Sequence, residues 1–205
     1  MTEVQTITKV TKSTRAVLAE AKKLFWKYGI KKVSVEEICA QAGVSKMTFY
    51  RYFSNKEEVA VHVLRKIFEV SRTESRRLMD DANLPLPVKI AELIKSKRKH
   101  SEGVSREFLR DAYGDNFPTV KAFIIRFRKI MTADLERSIR KMQSEGVIRK
   151  DLKIGFVTQM IDLMQEKAAD EDLQDLYDTN TELITELMQF FFYGIAGKEA
   201  QTEQN

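Results

Sequence analysis

Three prolines and eight glycines in 205 residues are too few to interrupt long helices often, and no stretch alternates apolar and polar residues as a half-buried strand would. One cysteine, Cys39, excludes an intrachain disulfide and fits a reducing cytoplasm. It sits on an apolar helix face, where a small buried hydrophobe is expected rather than a redox sensor. With only His62 and His100, no glycine-rich phosphate loop, no nucleophile–base pattern and no E-x-x-H signature, the chain shows no enzymatic machinery. No cofactor and no metal are expected. No signal peptide is legible, and the apolar run FFFYGIA (190–196) is too short to cross a bilayer, so the expected location is cytoplasmic, without a membrane partner. Internal repeats are also missing.

What is present is charge, unevenly spread. Residues 1–70 hold 13 Lys/Arg against 7 Asp/Glu, whereas residues 151–205 hold 3 against 12. The basic end can face a phosphate backbone, and the acidic end would be repelled by one.

Residues 34–57, SVEEICAQAGVSKMTFYRYFSNKE, are the most specific stretch. Ser34 and Glu37 form a capping-box pattern, and Val35, Ile38, Cys39 and Ala42 share one helical face. Gly43 suits a left-handed C-cap, and Ser45 caps a second helix almost at once, so the two must cross sharply. Ser54 and Glu57 repeat the box for a third start. Val44, Phe49 and Phe53 anchor the middle helix. Lys46, Met47, Thr48, Tyr50 and Tyr52 point elsewhere, on a side a soluble core does not need. The segment reads either as a helical hairpin with a solvated face or as a helix-turn-helix that meets DNA.

Together with AKKLFWKYGIKKV (21–33), AGVSKxTFYRYF and SNKEE, this segment resembles the DNA-binding domain of the tetracycline-repressor (TetR) family of bacterial transcriptional regulators, over about residues 13–60. Met47 departs from the small residue or proline that many members carry there. The resemblance implies an all-α homodimer of about nine helices. A three-helix reader precedes a larger helical domain that binds a small effector and dimerises. The expected division is an arm at 1–12, a helix-turn-helix domain at 13–57, an effector-binding and dimerisation domain at 58–197 and a tail at 198–205, with a helix at 55–80 linking the domains.

Helical periodicity places further helices at about 13–28, 88–102, 105–113, 118–145, 154–167 and 180–193, with GVIRKDLKIGF (146–156) and the acidic ADEDLQDLYD as connections. Lys9 and Lys12 in the arm either add phosphate contacts or are inert. Lys95, Lys97, Arg98, Lys99 and His100 form either a solvated helix end or a second nucleic-acid contact.

Candidate DNA contacts are Ser34, Ser45, Lys46, Met47, Thr48, Tyr50, Tyr52 and Lys56. Lys46 can donate to guanine or phosphate, and Met47 and Thr48 can meet a thymine methyl. The tyrosines, Ser34 and Lys56 suit phosphates. Ser45 can serve as a cap alone, and Tyr50 can instead pack on Phe25. The effector pocket implied by the resemblance would draw on Phe108, Tyr113, Phe117, Phe123, Phe127, Met131, Met160 and Met164, each of which can equally be core. Arg106, Arg110, Asp111, His100 and Gln159 would supply its polar contacts. The apolar faces of the last two long helices, with Phe156, Val157, Ile161, Leu183, Ile184, Leu187, Met188 and Phe191, would pair with a second copy as a four-helix bundle. The expected function is a homodimeric regulator released from a palindromic operator by a lipophilic or aromatic small molecule. A ligand-independent DNA-binding or scaffolding protein is the alternative, and an enzyme is the remote one.

Overall fold

Caps set most helix starts in the computed structural model, which describes residues 11–195. Thr11 and Thr14 cap each other, the Thr11 N–H donating to Thr14 Oγ1 at 2.8 Å and the Thr14 N–H to Thr11 Oγ1 at 3.2 Å. This opens α1 (Lys12–Lys32). α2 (Val35–Ala42) starts at the Ser34–Glu37 capping box and ends on Gly43, which is left-handed at φ 63°. α3 (Lys46–Tyr50) is capped by Ser45. There follow α4 (Lys56–Asp80), α5 (Leu86–Ser101), α6 (Arg106–Tyr113), α7 (Pro118–Ser144), α8 (Ile154–Lys167), α9 (Glu171–Gln174) and α10 (Asn180–Ile195). The fold is all-α, with no strand among the described residues. Lys9 and the rest of the expected arm through residue 10, like the expected tail at 198–205, lie outside the described residues.

Three differences from the sequence reading have local causes. α1 does not stop at Gly29. The chain breaks helical geometry there (φ 80°, ψ 168°) and makes one more turn to Lys32. The third box is shifted by one residue: Asn55 Oδ1 accepts from the Glu58 N–H at 2.9 Å, and Glu58 Oε2 accepts from the Ser54 N–H at 2.6 Å. Glu57 instead accepts from the N–H groups of Thr119 and Val120, at 2.7 and 3.3 Å, at the start of α7. The acidic connection contains a tenth helix, α9, because Asp170 accepts from the Leu173 N–H at 3.2 Å and caps it.

The chain divides into two compact units: residues 11–68 with 103–126, and residues 69–102 with 127–195. α6 and the start of α7 thus group with the first three helices, not with the later ones as expected. The first unit packs Val17, Ala21, Phe25, Ile30, Ile38, Phe49, Phe53 and Val59, all essentially inaccessible. Burying each large side chain contributes about 1.5–3 kcal/mol. The second unit has its own core of Leu78, Met79, Ile90, Leu93, Ile139, Met142, Ile148, Leu152, Val157, Phe191 and Phe192. No described helix is long and apolar enough to cross a membrane.

Candidate nucleic-acid interface

Phe49 and Phe53 pin α3 from below, their rings 5.5 Å apart, and so fix which side chains face out. Met47 is the most exposed large apolar side chain of the first unit at 85%, and Tyr50 is 54% exposed. Tyr50 meets the edge of Phe49 with ring centroids 5.3 Å apart, which leaves its other side open. Lys46 is exposed and ion-paired with Glu36 of α2. The hydrogen bond between them holds the Glu36 carboxyl below, and the Lys46 ammonium above, their ordinary pKa values.

The remaining candidates already have structural partners. Ser34 donates both its N–H (2.7 Å) and its hydroxyl (2.8 Å) to Glu37, whose carboxyl these bonds hold below the usual range. Ser45 donates its hydroxyl to Thr48 Oγ1 at 3.0 Å and accepts from the Thr48 N–H. Lys56 Nζ donates to the carbonyls of Lys31 and Val33, at 2.9 and 2.7 Å, and burial lowers its pKa. It ties the α1–α2 connection to the start of α4, which sequence spacing cannot reveal across 23–25 residues. Tyr52 is half-buried with the Arg51 guanidinium 4.9 Å over its ring. The open surface of α3 is therefore Lys46, Met47 and Tyr50, with Thr48 half-buried beside them. Cys39 is buried, and desolvation pushes its thiol pKa up, as expected of a packing residue.

The eight candidate effector-pocket residues are divided between the two units. Phe108, Tyr113, Phe117 and Phe123 belong to the first unit and Phe127, Met131, Met160 and Met164 to the second. Phe108 packs on Trp26 at 4.4 Å, Phe123 stacks on Phe68 at 6.0 Å, and Phe117 lies under the Lys56 ammonium at 5.9 Å. These aromatics are consumed in seating α6 and α7 on α1 and α4. A void in the second unit, lined by Met79, Leu135, Met142 and Phe192 among others, measures about 10 Å³, room for roughly one water, and none of the eight lines it. A shallow open groove of about 430 Å³ on the first unit, bounded by Leu24, Tyr28, Val33, Glu37 and Gln41, includes none of them either. Asp111, a candidate polar contact for a ligand, instead accepts from the Lys31 N–H at 2.7 Å.

The expected pairing face also needs revision. Val157, Leu183 and Phe191 are buried within their own chain, and Ile161 and Met188 pack against that core. Phe156 is 59% exposed, Ile184 and Leu187 are half-buried, and Leu163, Phe190 (72% exposed) and Tyr193, outside the expected set, are also exposed. Phe190 was hidden in the run FFFY, where only helical phase separates it from the buried Phe191 and Phe192.

Residues 17–63 match the profile of the family described as bacterial regulatory proteins, tetR family. No curated protein is similar enough in sequence to count as a match. Among solved structures, the fatty acid degradation regulator FadR from Bacillus halodurans is 19% identical over 91% of this chain and 98% of its own, with a TM-score of 0.71. A complex of SmeT with triclosan is 14% identical over 95% and 97% respectively, with a TM-score of 0.71. E. coli NemR in its reduced form is 13% identical over 90% and 97%, with a TM-score of 0.69. Residues 17–63 are thus similar to the tetR family of bacterial regulatory proteins, and the chain shares the all-helical fold of these solved structures.

Proposed function

We propose that this chain is a cytoplasmic, homodimeric transcriptional repressor. It binds a roughly palindromic operator through α3 and releases it when a small lipophilic or aromatic effector binds. The observation that carries the reading is the open face of α3, where Lys46, Met47 and Tyr50 stand out from a helix fixed by buried Phe49 and Phe53. Such a helix meets the major groove, and a two-fold dimer needs two half-sites. Exposed Phe156, Leu163, Phe190 and Tyr193 on α8 and α10 supply apolar surface for a second copy.

Residues 13–57 would serve as reader and 58–197 as effector-binding and dimerisation region. A regulator of fatty acid degradation and a triclosan complex are among the structures of this fold, which favours an apolar effector class. The methionines Met79, Met142, Met160, Met164 and Met188 make the second core adaptable enough to open around one. Release requires the effector to bind one conformation better than the other, since equal affinity shifts nothing. The nearly filled second core also supports a second reading, DNA binding without any effector.

Gel shifts with the DNA upstream of its own gene, with and without fatty acids and aromatic lipophiles, test both. The repressor reading expects a shift abolished by at least one compound. A shift insensitive to all of them supports the second reading, and no shift contradicts both.

A further inference from the structure

Glu36 is a carboxylate on the surface that would face DNA, in the first turn of α2, whose capping box is made by Ser34 and Glu37. Its side-chain partner is Lys46, at the start of α3, and among the described residues Lys46 is ion-paired with Glu36 alone. Both are more than half exposed, so the pair adds little to stability. An acid so placed weakens attraction to phosphates, and a bare lysine on its flexible stem would grip any backbone it met.

We propose that Glu36 is a specificity-determining residue: it holds the Lys46 ammonium off the phosphate backbone, and the two together read one G·C base pair in each half-site. A G·C pair presents the guanine O6 and N7 acceptors beside the cytosine N4 donor on its major-groove edge. The Glu36–Lys46 pair presents the complement, an ammonium donor beside a carboxylate acceptor. With the ammonium at O6 and the carboxylate at N4, A·T opposes both, placing the adenine N6 donor where O6 stood and the thymine O4 acceptor where N4 stood, and against phosphate only the lysine gains while the carboxylate is repelled. Glu36 therefore acts through Lys46, and removing it trades discrimination for general affinity. The inference rests on α3 being a DNA reader.

The test uses the full chain, its Glu36→Ala and Glu36→Gln variants, and each in a Lys46→Ala background. Thermal melting confirms the fold. Duplexes enriched by the wild type from a random pool, and shuffled duplexes of equal composition, are titrated by anisotropy from 50 to 300 mM KCl. Both Glu36 variants are expected to bind shuffled DNA about 3- to 10-fold tighter. Their salt slope should steepen by about 0.9, as for one added phosphate contact. Their preference for G·C at one half-site position should fall about tenfold, and these changes should vanish when Lys46 is alanine. The inference is overturned if the salt slope is unchanged and the preference stays within twofold of wild type, or if the changes persist without Lys46. If the wild type enriches no duplex, the DNA-reading function itself fails; enrichment with unchanged variants sinks the Glu36 inference alone.

Discussion

Asp111 of α6 accepts a hydrogen bond from the backbone N–H of Lys31 at 2.7 Å, and the same Oδ2 lies 2.7 Å from where a Cβ on Gly29 would stand. The carboxylate thus satisfies a donor freed by the break in α1 and occupies the space a side chain there would need. Gly29, at φ 80° and ψ 168°, is in a region essentially closed to other residues. Nearby, the Ser105 N–H donates to the Trp26 carbonyl at 2.8 Å, so α6 is fastened to α1 at both ends.

Gly29→Ala should cost about 2–4 kcal/mol in urea unfolding, from backbone strain and the clash together. Asp111→Ala should cost about 1–3 kcal/mol by orphaning the Lys31 N–H. The double variant should be less destabilised than the sum, because removing the carboxylate clears the space. Strict additivity would show that the two residues do not share this site.

Asn55→Ala should destabilise by about 0.5–2 kcal/mol as the true cap of α4, and Ser54→Ala by less than about 0.5 kcal/mol. Thermal melts of the pair separate the observed Asn55–Glu58 box from the Ser54–Glu57 spacing that the sequence suggests.

That one-residue shift marks the limit of what the chain made legible. Local chemistry marks the caps at Ser34 and Ser45, the left-handed glycine at 43, and nearly every helix start. Partners distant in sequence were not legible. Glu57 looks like a cap until the start of α7 takes its carboxylate, Lys56 like a phosphate grip until two carbonyls claim it, and Asp111 like a ligand contact until α1 breaks beneath it. Phe108 and Phe123 carry the same periodicity whether they line a pocket or fill a core. Glu36 had a faint signal, an acid at the start of α2 ten residues before a base at the start of α3, but only packing shows that they meet.

Asp134 is largely buried and accepts from Arg72 Nε at 2.5 Å, with Arg137 3.2 Å away, and the Arg72 bond holds its carboxyl below the usual range. A depressed carboxyl pKa stabilises the fold above the ordinary value of about 3.9, and the gain is lost as pH falls through the depressed value. Asp134→Asn should therefore cost about 1–3 kcal/mol near pH 7, and its curve should converge on wild type as pH drops below about 3.9. A constant gap across that range would show that the ion pair is not the source.

Phe190→Glu should turn a particle of twice the 23.8 kDa chain mass into one of 23.8 kDa in light scattering at micromolar concentration, with helicity unchanged. Val157→Glu, at a site only 1% exposed, should instead unfold the second unit. A wild type that already elutes as a single chain would remove the two-fold part of the account.

The central claim, that α3 is half of a two-fold DNA reader, is tested most directly by selecting duplexes from a random pool with the full chain. Binding of the enriched sequence is then compared between wild type and a Lys46→Ala/Met47→Ala variant. The account predicts an inverted repeat whose half-site centres lie about one helical turn, or a multiple of it, apart, and a loss of at least tenfold in affinity for the variant. A pool that returns unenriched, or a variant that binds the enriched sequence as tightly as wild type, would contradict it.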